Sequence, residues 1–123
     1  MTINIEYTLT IEDECIPVRG NAQASGDAAD DREVEDSIIR RLERDELWAW
    51  CTVVVKATIE GCDEVGLASL GGCSYENEAD FKTEGGYYED MCHEALEDLI
   101  RNIKAAAQKG DECKALLAEI DKL

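Results

Sequence analysis

One run, LWAWCTVVVKATI at residues 47–59, constrains this chain more than any other, because it combines a dense block of β-branched side chains with both tryptophans. Its odd positions, Leu47, Ala49, Cys51, Val53, Val55, Ala57 and Ile59, are all apolar, while Trp48, Trp50, Thr52, Val54, Lys56, Thr58 and Glu60 share the other side. Successive strand residues point to opposite faces, so this run predicts a strand with one face in a core and an interior place in its sheet. The even face opens with two indoles and closes in charge. A helix, a loop or a partner must then cover its first half.

The other elements are read around that strand. Ile3, Ile5, Tyr7, Leu9 and Ile11 alternate with Asn4, Glu6, Thr8 and Thr10, which predicts a strand with one buried and one wet face. After the acidic turn at 12–14, CIPVR reads as a second, short strand, kept to an edge because Pro17 has no N–H to give. Residues 20–30 read as a loop. Val34, Ile38 and Leu42 recur at helical spacing, predicting a helix capped by Asp30 or Asp31 and ending near Asp45. Beyond a turn at Gly61, VGLASLGGCSY pairs back as an antiparallel hairpin, and residues 76–81 make one helical turn. The longest helix spans 87–108 on a stripe of Tyr88, Met91, Cys92, Ala95, Leu96, Leu99, Ile100 and Ile103. A restart at Lys109-Gly110-Asp111 then leads into a short helix on Cys113, Leu116, Leu117 and Ile120. The predicted order is β-β-α-β-β-α-α, an α+β fold with a four-stranded antiparallel sheet and helices mainly on one face. Its 123 residues predict a single domain, 1–123, with 104–123 as a C-terminal helical extension.

Charge narrows the function classes. Acidic residues number 29 against 12 basic, a net charge of −17, which argues against direct contact with nucleic acid or an anionic membrane and for a basic partner. The N-terminus lacks a basic region followed by an apolar stretch, so the expected compartment is the cytoplasm. Six cysteines with no C-x-x-C pair, beside a single histidine, predict small buried apolar residues and no metal or cofactor site.

Three stretches carry chemistry to be weighed. Gly71-Gly72-Cys73-Ser74 has the look of a nucleophile turn, with His93 as base and Asp90 as its orienting carboxylate. Nothing basic flanks Cys73 to favour a thiolate, so an enzyme is not expected. Trp48 and Trp50 read equally as a binding hot spot or as a second small core under the loop at 20–30 or a terminal helix. The carboxylates from Glu76 to Asp98 meet only Lys82 and His93 in that span. Among them Glu89 and Asp90 suit the first turn of a helix, but Asp90, Glu94 and Asp98 recur at i, i+4 and i+8, and Glu94 precedes Glu97 by three. Such like-charge pairs cost about 0.2 to 0.5 kcal/mol each. Rows of carboxylates on a scaffold fit a groove built for nucleic acid.

WAWC, LGGCSY and GGYYEDM, with the opening alternation and IPVRGNA, resemble small acidic accessory proteins encoded by tailed bacteriophages and prophages. The resemblance covers most of residues 1–100, leaves the tail from Lys104 outside, and brings no catalytic residues with it. It implies a phage product acting inside a bacterial host. The leading expectation is an anti-CRISPR or anti-restriction type inhibitor occupying a basic groove of a host nucleic-acid-binding complex. Its partner-binding residues would be Glu89, Asp90, Glu94, Glu97 and Asp98, with Trp48 and Trp50. The alternatives are a structural or regulatory phage protein binding through the Trp48/Trp50 face and a thiol enzyme at Cys73. Oligomeric state stays open, a dimer included.

Overall fold

The computed structural model describes residues 3–22, 26–107 and 111–122, with side chains in the last span from Ala115 onward. Strand β1 (Ile5–Asp13) leads to helix α1 (Ala28–Glu43), a 3-10 turn (Leu47–Ala49), β2 (Cys51–Ile59), β3 (Val65–Cys73), α2 (Glu78–Glu84), α3 (Tyr88–Ala107) and α4 (Asp111–Ile120). Among the described residues the sheet therefore has three antiparallel strands, β1-β2-β3, not the expected four, and the order is β-α-β-β-α-α-α.

The strand that fails to form is CIPVR. Its donors and acceptors close on themselves: Ile16 N–H donates to Glu14 Oε1 at 3.0 Å, Asn21 and Ala22 N–H both donate to the Val18 carbonyl at 3.1 Å, and Asn21 Nδ2 donates to the Pro17 carbonyl at 2.9 Å. A segment satisfied locally, with a proline inside it, forms turns rather than a ladder. β2 holds the interior position its sequence demands, and its odd residues Cys51, Val53, Val55, Ala57 and Ile59 are all buried. It starts later than expected because residues 47–49 wind into the 3-10 turn, closed by Trp50 N–H on the Leu47 carbonyl. Gly61, at φ 83°, makes the tight return into β3, with Cys62 N–H on the Ile59 carbonyl.

Contacts group the residues into two compact units. One comprises Thr10–Val54 and Ser69–Tyr88. Here α1 opens earlier than expected because Asp27, not Asp30 or Asp31, is its N-cap, accepting from the N–H groups of Ala29 and Asp30. Ile38, Ala49 and Trp50 form a core backed by Val18, Ala22, Val34 and Leu42. Trp48 packs on the fully buried Phe81 with centroids 5.8 Å apart, and Tyr75 meets the same ring edge-on at 5.1 Å. Arg41 ties this cluster to α1, donating to the Tyr75 carbonyl at 2.9 Å.

The other unit comprises Met1–Leu9, Val55–Ala68 and Glu89–Leu123. Its main helix, α3, buries Met91, Ala95, Leu99 and Ile103 of the predicted stripe, together with Ala107, while Tyr88, Cys92, Leu96 and Ile100 are only half-buried. α3 lies so close to β3 that a Cβ on Gly66 would stand 1.9 Å from the Ala95 carbonyl oxygen and 2.4 Å from Leu99 N, so glycine is required there. Because α3 runs to Ala107, the start of the extension expected at 104–123 belongs to it, while Lys109 and Gly110 of the expected restart lie outside the described residues.

Candidate functional site

The acidic row of α3 resolves into two kinds of carboxylate. Glu89, Asp90, Glu94 and Glu97 are exposed, and among the described residues none of them enters a hydrogen bond or ion pair. Asp98 is different. Its Oδ2 accepts the Leu67 N–H at 2.9 Å and the Asn102 amide at 3.5 Å, while Arg101 reaches Oδ1 at 3.4 Å. Asn102 also donates to the Val65 carbonyl at 2.7 Å. Asp98 and Asn102 thus satisfy β3's backbone along its outer edge, which sets Asp98 apart from the other acids of the row. Even spacing on the helix groups Asp98 with Asp90 and Glu94, but packing against β3 gives it a structural task.

The tryptophans are also reassigned. Trp50 is only 6% exposed and its indole N–H donates to the Ile16 carbonyl at 2.7 Å, a buried ring with its donor satisfied within the fold. Trp48 is half-buried on Phe81. Trp50 thus belongs to a small core, formed with Ile38 and Ala49 and backed by Val18 and Ala22 rather than by a terminal helix, while Trp48 lies outside that cluster. Gly71, Gly72 and Cys73 form the end of β3 rather than the expected turn, and with Ser74 they line an open depression of about 350 Å³ beside Trp50, Tyr75 and the exposed Tyr87. Cys73 is buried beneath it, its thiol donating to the Leu70 carbonyl at 3.3 Å, and burial pushes its pKa up. A thiol so held resists forming the thiolate that nucleophilic chemistry needs. Cys51 is pushed further, to about 11, chiefly by burial.

Most carboxylates at residues 14–36 that the structure engages are spent on folding. Glu14 accepts from Ile16 N–H, from the Thr52 hydroxyl at 2.8 Å and from Gly72 N–H at 2.6 Å, bonds that lower its pKa. Glu35, 7% exposed, accepts from Arg19 at 3.1 Å and from Gly20 N–H at 2.8 Å, and Asp36 receives the other arm of Arg19, which lowers the Asp36 pKa.

One feature was missed from sequence. Tyr7, counted there on the buried face of β1, is 37% exposed and borders a groove of about 290 Å³ lined by Glu89, Cys92, His93 and Leu96 of α3. Desolvation, then the nearby Cys92, raises the pKa of its hydroxyl. The available signal was β1's place beside an acidic helix rather than its alternation.

Among the described residues, no group of three or more His, Cys, Asp or Glu side chains is arranged to hold a metal ion, and no helix is long and apolar enough to cross a membrane. Compared with protein-family models, curated proteins and solved structures, the chain matches none. The functional reading therefore rests on the surface itself.

Proposed function

We propose that this chain is a non-enzymatic, acidic interaction protein that occupies the basic groove of a nucleic-acid-binding complex. The setting suggested by its resemblance is the cytoplasm of a bacterial host, where a phage product of this kind would act against CRISPR or restriction defence. One observation carries the reading: Glu89, Asp90, Glu94 and Glu97 stand exposed on α3, engaged by none of the described residues, while the opposite stripe of that helix is buried. No Lys or Arg occurs between Lys82 and Arg101 to offset them. Residues four apart on a helix rise about 6 Å, so this row is sparser than the charge of a duplex, one per about 1.7 Å of axis. It suits a groove by sign and linear shape, not phosphate by phosphate. Carboxylates meeting lysines and arginines of a desolvated groove gain both steering and specificity.

The test immobilises wild type and the Asp90→Lys/Glu94→Lys/Glu97→Lys variant and exposes both to bacterial lysate at low and high salt. Wild type should retain a basic nucleic-acid-binding complex at about 0.05 M salt and release it near 0.5 M, where the Debye length is only a few ångströms. The variant should retain none at either. A complex held equally by both proteins, or held regardless of salt, rejects groove occupation.

A further inference from the structure

The two outer strands of the sheet are finished differently. On β3 the Leu67 N–H and Val65 carbonyl are taken by Asp98 and Asn102. On β1 no described side chain hydrogen-bonds the backbone of residues 5–9, and Glu6, Tyr7 and Thr8 are exposed in succession. An unfinished edge is a template for another strand. Beside it runs the groove lined by Tyr7 of β1 and by Glu89, Cys92, His93 and Leu96 of α3.

We propose that residues 5–9 are a docking edge for an extended, lysine- or arginine-bearing segment of the partner, added to the sheet by main-chain hydrogen bonds. Alternate side chains of the added strand would enter the groove against Tyr7 and Leu96, where Glu89 pairs a cation. The proposal rests on the partner being basic, as argued above, and says how part of it is held. Charge selects the occupant. Glu6 lies on the edge strand and Glu89 in the groove, and a second copy of this chain would bring −17 against −17, so self-pairing is opposed while a basic strand is drawn in. Main-chain bonds supply affinity in this mode, and the pockets for alternate side chains supply specificity.

The probe is a synthetic peptide of alternating lysine and valine, about as long as β1, followed by NMR on the isotopically labelled full chain. Binding should shift the amides of residues 5–9 and slow their exchange while leaving Leu67 unchanged. N-methylating one alternate set of peptide nitrogens should weaken it at least about fivefold, whereas the other set should be tolerated, because only one edge of an added strand pairs. Tyr7→Ala and Glu89→Gln should weaken it too, and a glutamate-for-lysine peptide should not bind. Shifts confined to the outer face of α3, indifferent to N-methylation, would overturn the docking edge and leave the groove-occupying function standing. Protection of residues 5–9 that grows with protein concentration in the absence of peptide would overturn it in favour of a second copy. A wild-type chain that captures no basic complex yet pairs the peptide through β1 keeps the docking edge and rejects the function instead.

Discussion

Carboxylates are frequent both at residues 14–36 and at residues 89–97, yet the fold uses Glu14, Glu35 and Asp36 in the opposite way from the row on α3. Glu14, Glu35 and Asp36 each hold named donors: Glu14 ties together the turn after β1, Thr52 on β2 and Gly72 near the end of β3, and Glu35 and Asp36 clamp Arg19 and Gly20 onto α1. Glu89, Asp90, Glu94 and Glu97 hold none among the described residues. Acid content alone therefore does not mark a working surface. What marks it is acid that folding leaves unused.

The largest effect expected within this comparison is at Glu35. Glu35→Ala strips the Gly20 N–H and one arm of Arg19 of their acceptor at a buried position, a loss of about 2 kcal/mol, read as a lower midpoint in urea unfolding. A loss below a few tenths would mean that the clamp on α1 is ornamental and the comparison false.

Next comes Asp98, the acid on α3 that behaves like those of the first group. Asp98→Ala frees the Leu67 N–H and should cost about 1 kcal/mol while loosening amide protection along β3. Reversing it to lysine together with Asp90 and Glu94 would thus confuse folding with binding, which is why Glu97 replaces it in the binding test.

Glu14 sharpens the comparison through pH. Hydrogen bonds, first from Ile16 N–H, then from Gly72 N–H and the Thr52 hydroxyl, hold its folded pKa below the ordinary 4.5. A depressed folded pKa contributes stability that is complete above the unfolded value and is lost as pH falls through the folded one. Wild type should therefore melt above Glu14→Gln at pH 7, and the gap should close as the solution is acidified past 4.5. A gap that stays constant into acid would show that shape, not charge, makes the contribution of Glu14.

What the sequence revealed and concealed follows the range of the forces involved. β2, the Gly61 return and the stripe of α3 were legible because each is set by alternation or periodicity within a dozen residues. CIPVR reads as a strand by composition, but its bonds close locally around Pro17, and the resulting turns are pinned by Glu35 through Arg19 and by the indole of Trp50 through the Ile16 carbonyl, partners too far along the chain for spacing to reveal. Which of the two readings of the indoles holds was not legible because the change of period at residues 47–49, which turn into 3-10 geometry, leaves strand alternation silent on where Trp48 points. Thr52 sits on the even face as expected, yet its hydroxyl is committed to Glu14, so Thr52→Asp should be far from mild. Asp98 was grouped with its helical neighbours because spacing on one helix carries no knowledge of the strand packed beside it.

The smallest expected effect on stability tests the central claim most directly, that the remaining carboxylates of α3 are not needed for folding. Glu94 and Glu97 lie past the first turn, clear of the favourable end of the helix dipole. The measurement is the thermal midpoint of Glu94→Gln/Glu97→Gln beside wild type and Asp98→Ala in low salt. The account predicts a double variant that melts at or slightly above wild type, through relief of about 0.2 to 0.5 kcal/mol of like-charge repulsion, and a single variant that melts clearly below. A double variant that falls as far as Asp98→Ala would mean that these acids hold the fold, and that α3 presents no free acidic surface.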